Sequence, residues 1–174
     1  MSRKYKYFVI IIISFLSIWF ADKYLPKCFA ENIPKVDKII VYKSQRSLVL
    51  LKNSIVIKSY TISLGKNPVG DKEMEGDSKT PEGKYLIDWK NKNSKYHLSL
   101  HISYPDSNDV AISTKKNQNP GGNIMIHGRP NYIGWFPFIF ENRDWTDGCI
   151  ALTNIEVEEI WNSVNSGTKI IIKK

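Results

Sequence analysis

From residue 38 onward the chain runs in short apolar stretches with turn residues between them. Ile39 to Tyr42, Ser47 to Leu51 and Ile55 to Ser63 are rich in β-branched and aromatic side chains, and Ser44-Gln45-Arg46 and Lys52-Asn53-Ser54 separate them. Runs of this kind bounded by turn chemistry predict strands, here a meander of three antiparallel ones. Gly65 to Pro81 is polar and rich in Gly, Lys, Asp and Glu, a surface loop. Strands are then expected over Lys84 to Trp89, Tyr96 to Ser103, a short Val110 to Ser113, and Asn123 to Ile126 behind Gly121-Gly122. Arg129 to Thr146 is aromatic-rich and broken by Pro130, Gly134 and Pro137. Its group of Tyr132, Trp135, Phe136, Phe138 and Phe140 reads either as a lid over a cleft or as core. Thr153-Asn154-Ile155-Glu156 has the capping-box pattern, in which hydroxyl and carboxylate satisfy first-turn amides. It predicts one helix, ended near Gly167, before a last strand from Thr168 to Ile172.

The first 30 residues follow another pattern. Arg3, Lys4 and Lys6 precede a 13-residue apolar run, Phe8 to Phe20, interrupted by Ser14 and Ser17. A basic stretch before an apolar run of this length reads as a signal peptide, with Ala30 at a possible cut, or as an N-terminal anchor touching a membrane through residues 7–21. The division expected is therefore 1–30 leader or anchor, 31–37 linker and 38–174 domain, with the domain exported. The whole chain carries 25 Lys and Arg against 17 Asp and Glu, a net charge of +8. Without residues 1–30 the excess falls to +4 and is spread along the chain. That balance suits an anionic envelope surface. With no basic stripe interleaved with aromatics, it argues against a nucleic-acid partner.

Chemistry concentrates around Cys149, in Trp145-Thr146-Asp147-Gly148-Cys149-Ile150. Cys28 is the second cysteine and lies inside the leader segment, so an exported mature domain would keep one thiol. An unpaired thiol in an oxidising compartment is either an intermolecular partner or a working nucleophile. Thiols attack as thiolates, from a free pKa near ~8.5 that a histidine can lower. His127, 22 residues upstream at a strand end, is the candidate base. Gly148 permits a tight turn, amides near Gly148 and Cys149 could face a developing oxyanion, and Asp147 or a nearby backbone carbonyl could orient the imidazole. By themselves these residues also fit a small buried thiol and a satisfied core histidine.

The segments in order resemble the L,D-transpeptidase family with the YkuD-type catalytic domain, over most of residues 38–174. They are Ser63-Leu64-Gly65, Lys79-Thr80-Pro81-Glu82-Gly83-Lys84-Tyr85, Gly122-Asn123-Ile124-Met125-Ile126-His127-Gly128, Thr146-Asp147-Gly148-Cys149-Ile150 and Gly167-Thr168. The resemblance implies a mainly β fold, a YkuD-like β-sandwich with one α-helix in its C-terminal region. It implies that Cys149 attacks the carbonyl between an L-centre and a D-amino acid in a peptidoglycan stem peptide while His127 moves the protons. Thr146, Asp147 and Gly148 shape and orient the site, and no metal or other cofactor is needed. Acylation by carbapenem-like β-lactams is implied as well.

Two positions depart from the family pattern. Asp147 stands where a second histidine is frequent, and Ala151 where an arginine is usual. Without that planar donor fork, substrate grip must come from elsewhere, with Arg129, Arg143 and His101 as candidates. The chain looks most like a divergent, YafK-like branch, in which hydrolysis of the same bonds (an L,D-endopeptidase) is the alternative to transfer. Two further readings stand beside these. His97 and His101, four apart and thus on one strand face, could join His127 as the ligands of a zinc hydrolase. A non-catalytic envelope-binding module could also have kept the fold.

Overall fold

The computed structural model describes residues 3–134 and 136–174. The expected meander is present as β1 (Lys38–Tyr42), β2 (Ser47–Lys52) and β3 (Ile55–Thr61), paired antiparallel in that order. Alternation decides which face turns inward: Ile39 and Val41 of β1 and Leu48 and Leu50 of β2 are fully buried. The β2–β3 turn has φ of 51° at Asn53 and 65° at Ser54, the left-handed pair that a two-residue hairpin needs and that Asn tolerates.

The remaining strands are β4 (Gly83–Ser94), β5 (His97–Ile102), β6 (Met125–His127), β7 (Ile150–Ala151) and β8 (Lys169–Lys173). All eight form one curled sheet in the order β3-β2-β1-β8-β4-β5-β6-β7. β8 is inserted centrally, parallel to β1 and antiparallel to β4. The two ends of the sheet approach each other through an antiparallel bridge between Ser63 and Ala151 and a parallel one between Gly65 and Thr146. The core fills the inside of the curl. It is mainly β, as the resemblance implied.

Among the described residues four helices accompany the sheet. The predicted one is α4 (Asn154–Ser163), with the full capping box between Thr153 and Glu156; it buries Val157 and Ile160, and Val164 follows at its end. The short strand expected over Val110 to Ser113 is instead part of α2 (Ser107–Lys115). Asp106 caps it by accepting from Asn108 and Asp109 amides while the Asp109 carboxylate accepts from the Asp106 amide. That reciprocal cap outweighs the strand preference of Val110 and Ile112. A single turn, α3, spans Pro137–Phe140. The N-terminal segment is helix α1 (Arg3–Phe29), with Phe8, Ile10 to Ile13, Phe15, Leu16, Ile18 and Phe20 exposed. Its C-terminal end, at Ala21, Leu25 and Phe29, shares a cleft with Thr153 and Ile155 at the start of α4. Among the described residues no helix is long and apolar enough to cross a membrane.

Residues 31–37 are fastened along α4. The Glu31 amide donates to Glu159, the Val36 amide to Ser163 O, and the Lys35 ammonium to Asn162 O. Val36 itself is in the core.

Candidate active site

Two of the shortest strands position the two candidate catalytic side chains. β6 and β7 run parallel, with Ile126 opposite Ile150 and His127 opposite Ala151. Ile126 and Ile150 are fully buried in the core. Side chains alternate along strands, so His127 and Cys149 project from the other face, as diagonal neighbours on adjacent strands. Cys149 lies beside Met125: its Sγ accepts from the Met125 amide at 3.4 Å and donates to Asn123 O at 3.6 Å.

The His127 ring is 4 % exposed, and its Nδ1 lies 2.6 Å from Gly128 O. A carbonyl can only accept, so Nδ1 carries the proton and Nε2 keeps a lone pair. Tyr96 and Trp145 enclose the ring, at centroid distances of 4.6 and 5.6 Å. Burial in this aromatic box pulls the imidazole pKa down to about 4, against the Gly128 hydrogen bond, which raises it. Burial pushes the Cys149 thiol upward, opposed by the Met125 amide. Both groups rest neutral near pH 7.

The sequence-distant motifs meet at the turn before β7. Thr146 Oγ1 accepts from the Gly148 amide at 3.1 Å and donates to Cys149 O at 2.7 Å, tying the Cys149 peptide into a fixed loop. Gly148 has φ +129°, and a Cβ there would sit 2.7 Å from Lys79 O. Gly65 passes so close that its own Cβ would meet Ser78 O at 2.1 Å and the Gly148 Cα at 3.1 Å. The Gly65 amide donates to Thr80 Oγ1 at 3.1 Å.

Several expectations change. The Gly148 amide is held by Thr146 Oγ1 and so is not free to face a substrate oxygen, whereas the Cys149 N–H has no hydrogen-bond partner among the described residues. Asp147 does not orient the imidazole. Its carboxylate is exposed and pairs with Lys66 at 2.8 Å, while the Gly128 carbonyl does the orienting.

The three histidines do not converge. His97 Nε2 meets Glu158 of α4 at 2.8 Å, His101 Nδ1 meets Asp88 at 2.7 Å, and His127 is held by Gly128. The four-residue rule fails because His97 heads β5 with φ 62°, outside strand alternation. The zinc-hydrolase alternative therefore has no assembled ligand set, and among the described residues no three metal-binding side chains cluster.

Arg129 is not free to grip substrate. Its guanidinium spans Gly134 O at 3.3 Å and Glu141 at 3.4 Å, bracing the loop. It lines a cavity of about 730 Å³ with Arg46, Arg143, Ser63, Trp145 and Ala151, the last at the position where the resemblance expects an arginine; neither Cys149 nor His127 is in that lining. Arg46 there is locked on Asp144 at 2.7 Å, whereas Arg143 is exposed. Of the expected aromatic group, Phe140 is buried against Trp145 at 5.1 Å and Tyr132 and Phe136 are exposed. Trp135 and the Phe138 side chain lie outside the described residues. Tyr96, Asn123 and Trp145 were not anticipated as site residues. Trp145, adjoining the Cys149 motif, was the one with a signal in the sequence.

Comparison with known proteins defines the class. The family of the L,D-transpeptidase catalytic domain, YkuD, matches residues 37–172. The chain belongs to this family. YafK of Escherichia coli (strain K12), a protein provisionally named as an L,D-transpeptidase, is 29% identical over 133 residues, which are 72% of this chain and 46% of YafK. The chain thus spans about half the length of that relative. Among solved structures, the helical cell shape determining protein Pgp2 from Campylobacter jejuni superposes with a TM-score of 0.61 at 23% identity, over 88% of this chain and 55% of Pgp2. L,D-transpeptidase 3 from Mycobacterium tuberculosis, in complex with a faropenem-derived adduct, gives 0.54 at 15% identity, over 81% of this chain and 61% of that one. At these identities the likeness is one of fold.

Proposed function

We propose that the protein is a peptidoglycan L,D-transpeptidase that works through a cysteine thioester on stem peptides outside the cytoplasm. The observation that carries this reading is the fixed tautomer of His127. With Nδ1–H committed to Gly128 O, Nε2 is the atom available to take a proton on the sheet face that bears Cys149.

In the proposed reaction, Sγ attacks the carbonyl between the L-centre and the following D-residue as its proton passes to Nε2. The C–N bond breaks, and the departing amine takes that proton from the imidazolium. The thioester then yields to an acceptor amine, whose proton follows the same route, or to water. Because both partners rest neutral, proton removal accompanies attack rather than preceding it. The Cys149 amide is assigned to the oxyanion in this reading, supported by its lack of a partner among the described residues. The basic and apolar pattern of residues 1–30 supports export of the 38–174 domain.

The test uses intact mass. Incubation with a carbapenem should add one covalent equivalent to the wild-type chain and none to Cys149→Ala. An adduct that persists in Cys149→Ala removes the assignment. Product analysis with defined muropeptides then separates transfer, which yields cross-linked dimers, from hydrolysis, which yields shortened or unlinked stems.

A further inference from the structure

The curled sheet carries a row of side chains leading away from Cys149. Cys149 lies beside Met125, whose amide donates to its Sγ. Met125 is directly opposite His101 across the β5–β6 pair, and directly opposed residues share a face. The His101 ring is stacked under the Trp89 indole, centroids 4.7 Å apart and planes within 13°. The row thus starts at the residue before β7 and crosses β6, β5 and β4 roughly at right angles to the strands.

Its far end is a built plate. The β4–β5 register slips between Ile87 and Lys90, and this irregularity turns Asp88 and Trp89 outward. His101 donates from Nδ1 to Asp88 at 2.7 Å, which fixes the imidazole beneath the indole. Trp89 remains 43% exposed and Asp88 stands beside it with its side chain 40% exposed. One indole face is therefore occupied by His101 and the other is turned to solvent. A flat, rigid apolar face with a carboxylate at its edge complements a pyranose ring, which presents C–H groups on one face and hydroxyls around its rim.

The spacing also fits. Three strand steps of ~4.8 Å separate the row's ends by about 14 Å. Three extended peptide residues plus the lactyl ether that joins a stem peptide to its sugar amount to about four residue lengths, again about 14 Å. We propose that Trp89, backed by His101 and Asp88, forms a subsite for an N-acetylated sugar ring of the glycan strand whose stem peptide is attacked at Cys149. This rests on the stem-peptide reading above and extends it to the carbohydrate.

The experiment measures equilibrium binding in the full chain carrying Cys149→Ala, so that nothing is consumed. Two probes are compared: a stem tetrapeptide, and the same tetrapeptide on its N-acetylated disaccharide. The disaccharide form should bind about two- to tenfold tighter, the range expected of one stacked ring. Adding Trp89→Ala should bring the ratio of the two dissociation constants to one, and Trp89→Phe should restore part of it. A ratio of one in the parent, or a ratio that Trp89→Ala leaves intact, overturns the subsite. Free disaccharide, titrated separately, keeps the test independent of the peptide. If it binds and Trp89→Ala abolishes that binding while the bare tetrapeptide does not bind and adds nothing to the affinity of the disaccharide, the subsite stands and the stem-peptide reading fails.

Discussion

At the scale of single residues, the site is governed by what surrounds the imidazole of His127. A buried ring with a pKa pulled to about 4 stays in its base form across the neutral range. The rate of acylation by a carbapenem should therefore hold from pH 7 down to about 5 and fall roughly tenfold per unit below about 4. Stopped-flow rates from pH 3 to 8 check this, and an acid limb near 6.5 would show a solvated ring. The raised thiol implies slow alkylation by iodoacetamide near pH 7, quickening on the alkaline side of an ordinary cysteine. Gly148 sets the other constraint. Alanine there would need a φ of +129° and push its Cβ to 2.7 Å from Lys79 O. Gly148→Ala should lose most acylation and about 1–3 kcal/mol of stability, read by intact mass and by urea unfolding. A variant that acylates normally would show that this turn is not what places the thiol.

At the scale of elements, the loop from Gly65 to Glu82 is held by ion pairs more than by apolar contact. The Lys43 ammonium, at 2% residue exposure, donates to Gly70 O, Thr80 O and Glu82. Nearby, the buried Lys72–Asp77 pair closes at 2.8 Å, and Asp77 also accepts the amides of Glu73, Met74 and Lys79. Removing one partner strands the other without water. Asp77→Ala should cost about 3–5 kcal/mol, with faster hydrogen exchange across residues 66–81 in the folded protein. Unchanged exchange would mean that the loop has other anchors. Little of this was legible in the sequence, where Lys72 and Asp77 read as ordinary loop charges. The strands β1 to β3 and the α4 cap were legible because period-two alternation and a capping box are local signals. α2 was not, since its cap depends on Asp106 and Asp109 reciprocating while Val110 and Ile112 pull toward a strand. The Cys149 and His127 motifs carried their positions. The direction of the Asp147 carboxylate, toward Lys66, and the separation of His97 from His101 depended on backbone angles that residue types alone do not fix.

At the scale of the whole molecule, α1 touches the rest of the protein at the start of α4, whereas residues 31–37 are bonded along that helix and bury Val36. Deleting residues 1–30 should leave the melting temperature within a few degrees. Deleting residues 1–37 should lower it clearly, because a core side chain and its backbone anchor go too. Equal melting of both forms would place the domain boundary later than residue 37. The strand order has a consequence for biogenesis. β8, formed by residues 169–173, lies between β1 and β4, so the β1–β3 meander joins the β4–β7 half through it and through the Ser63–Ala151 and Gly65–Thr146 bridges. During synthesis from the N-terminus the strand that joins the two halves is the last of the eight described to emerge, so the ladder between them closes only once β1 to β7 are available.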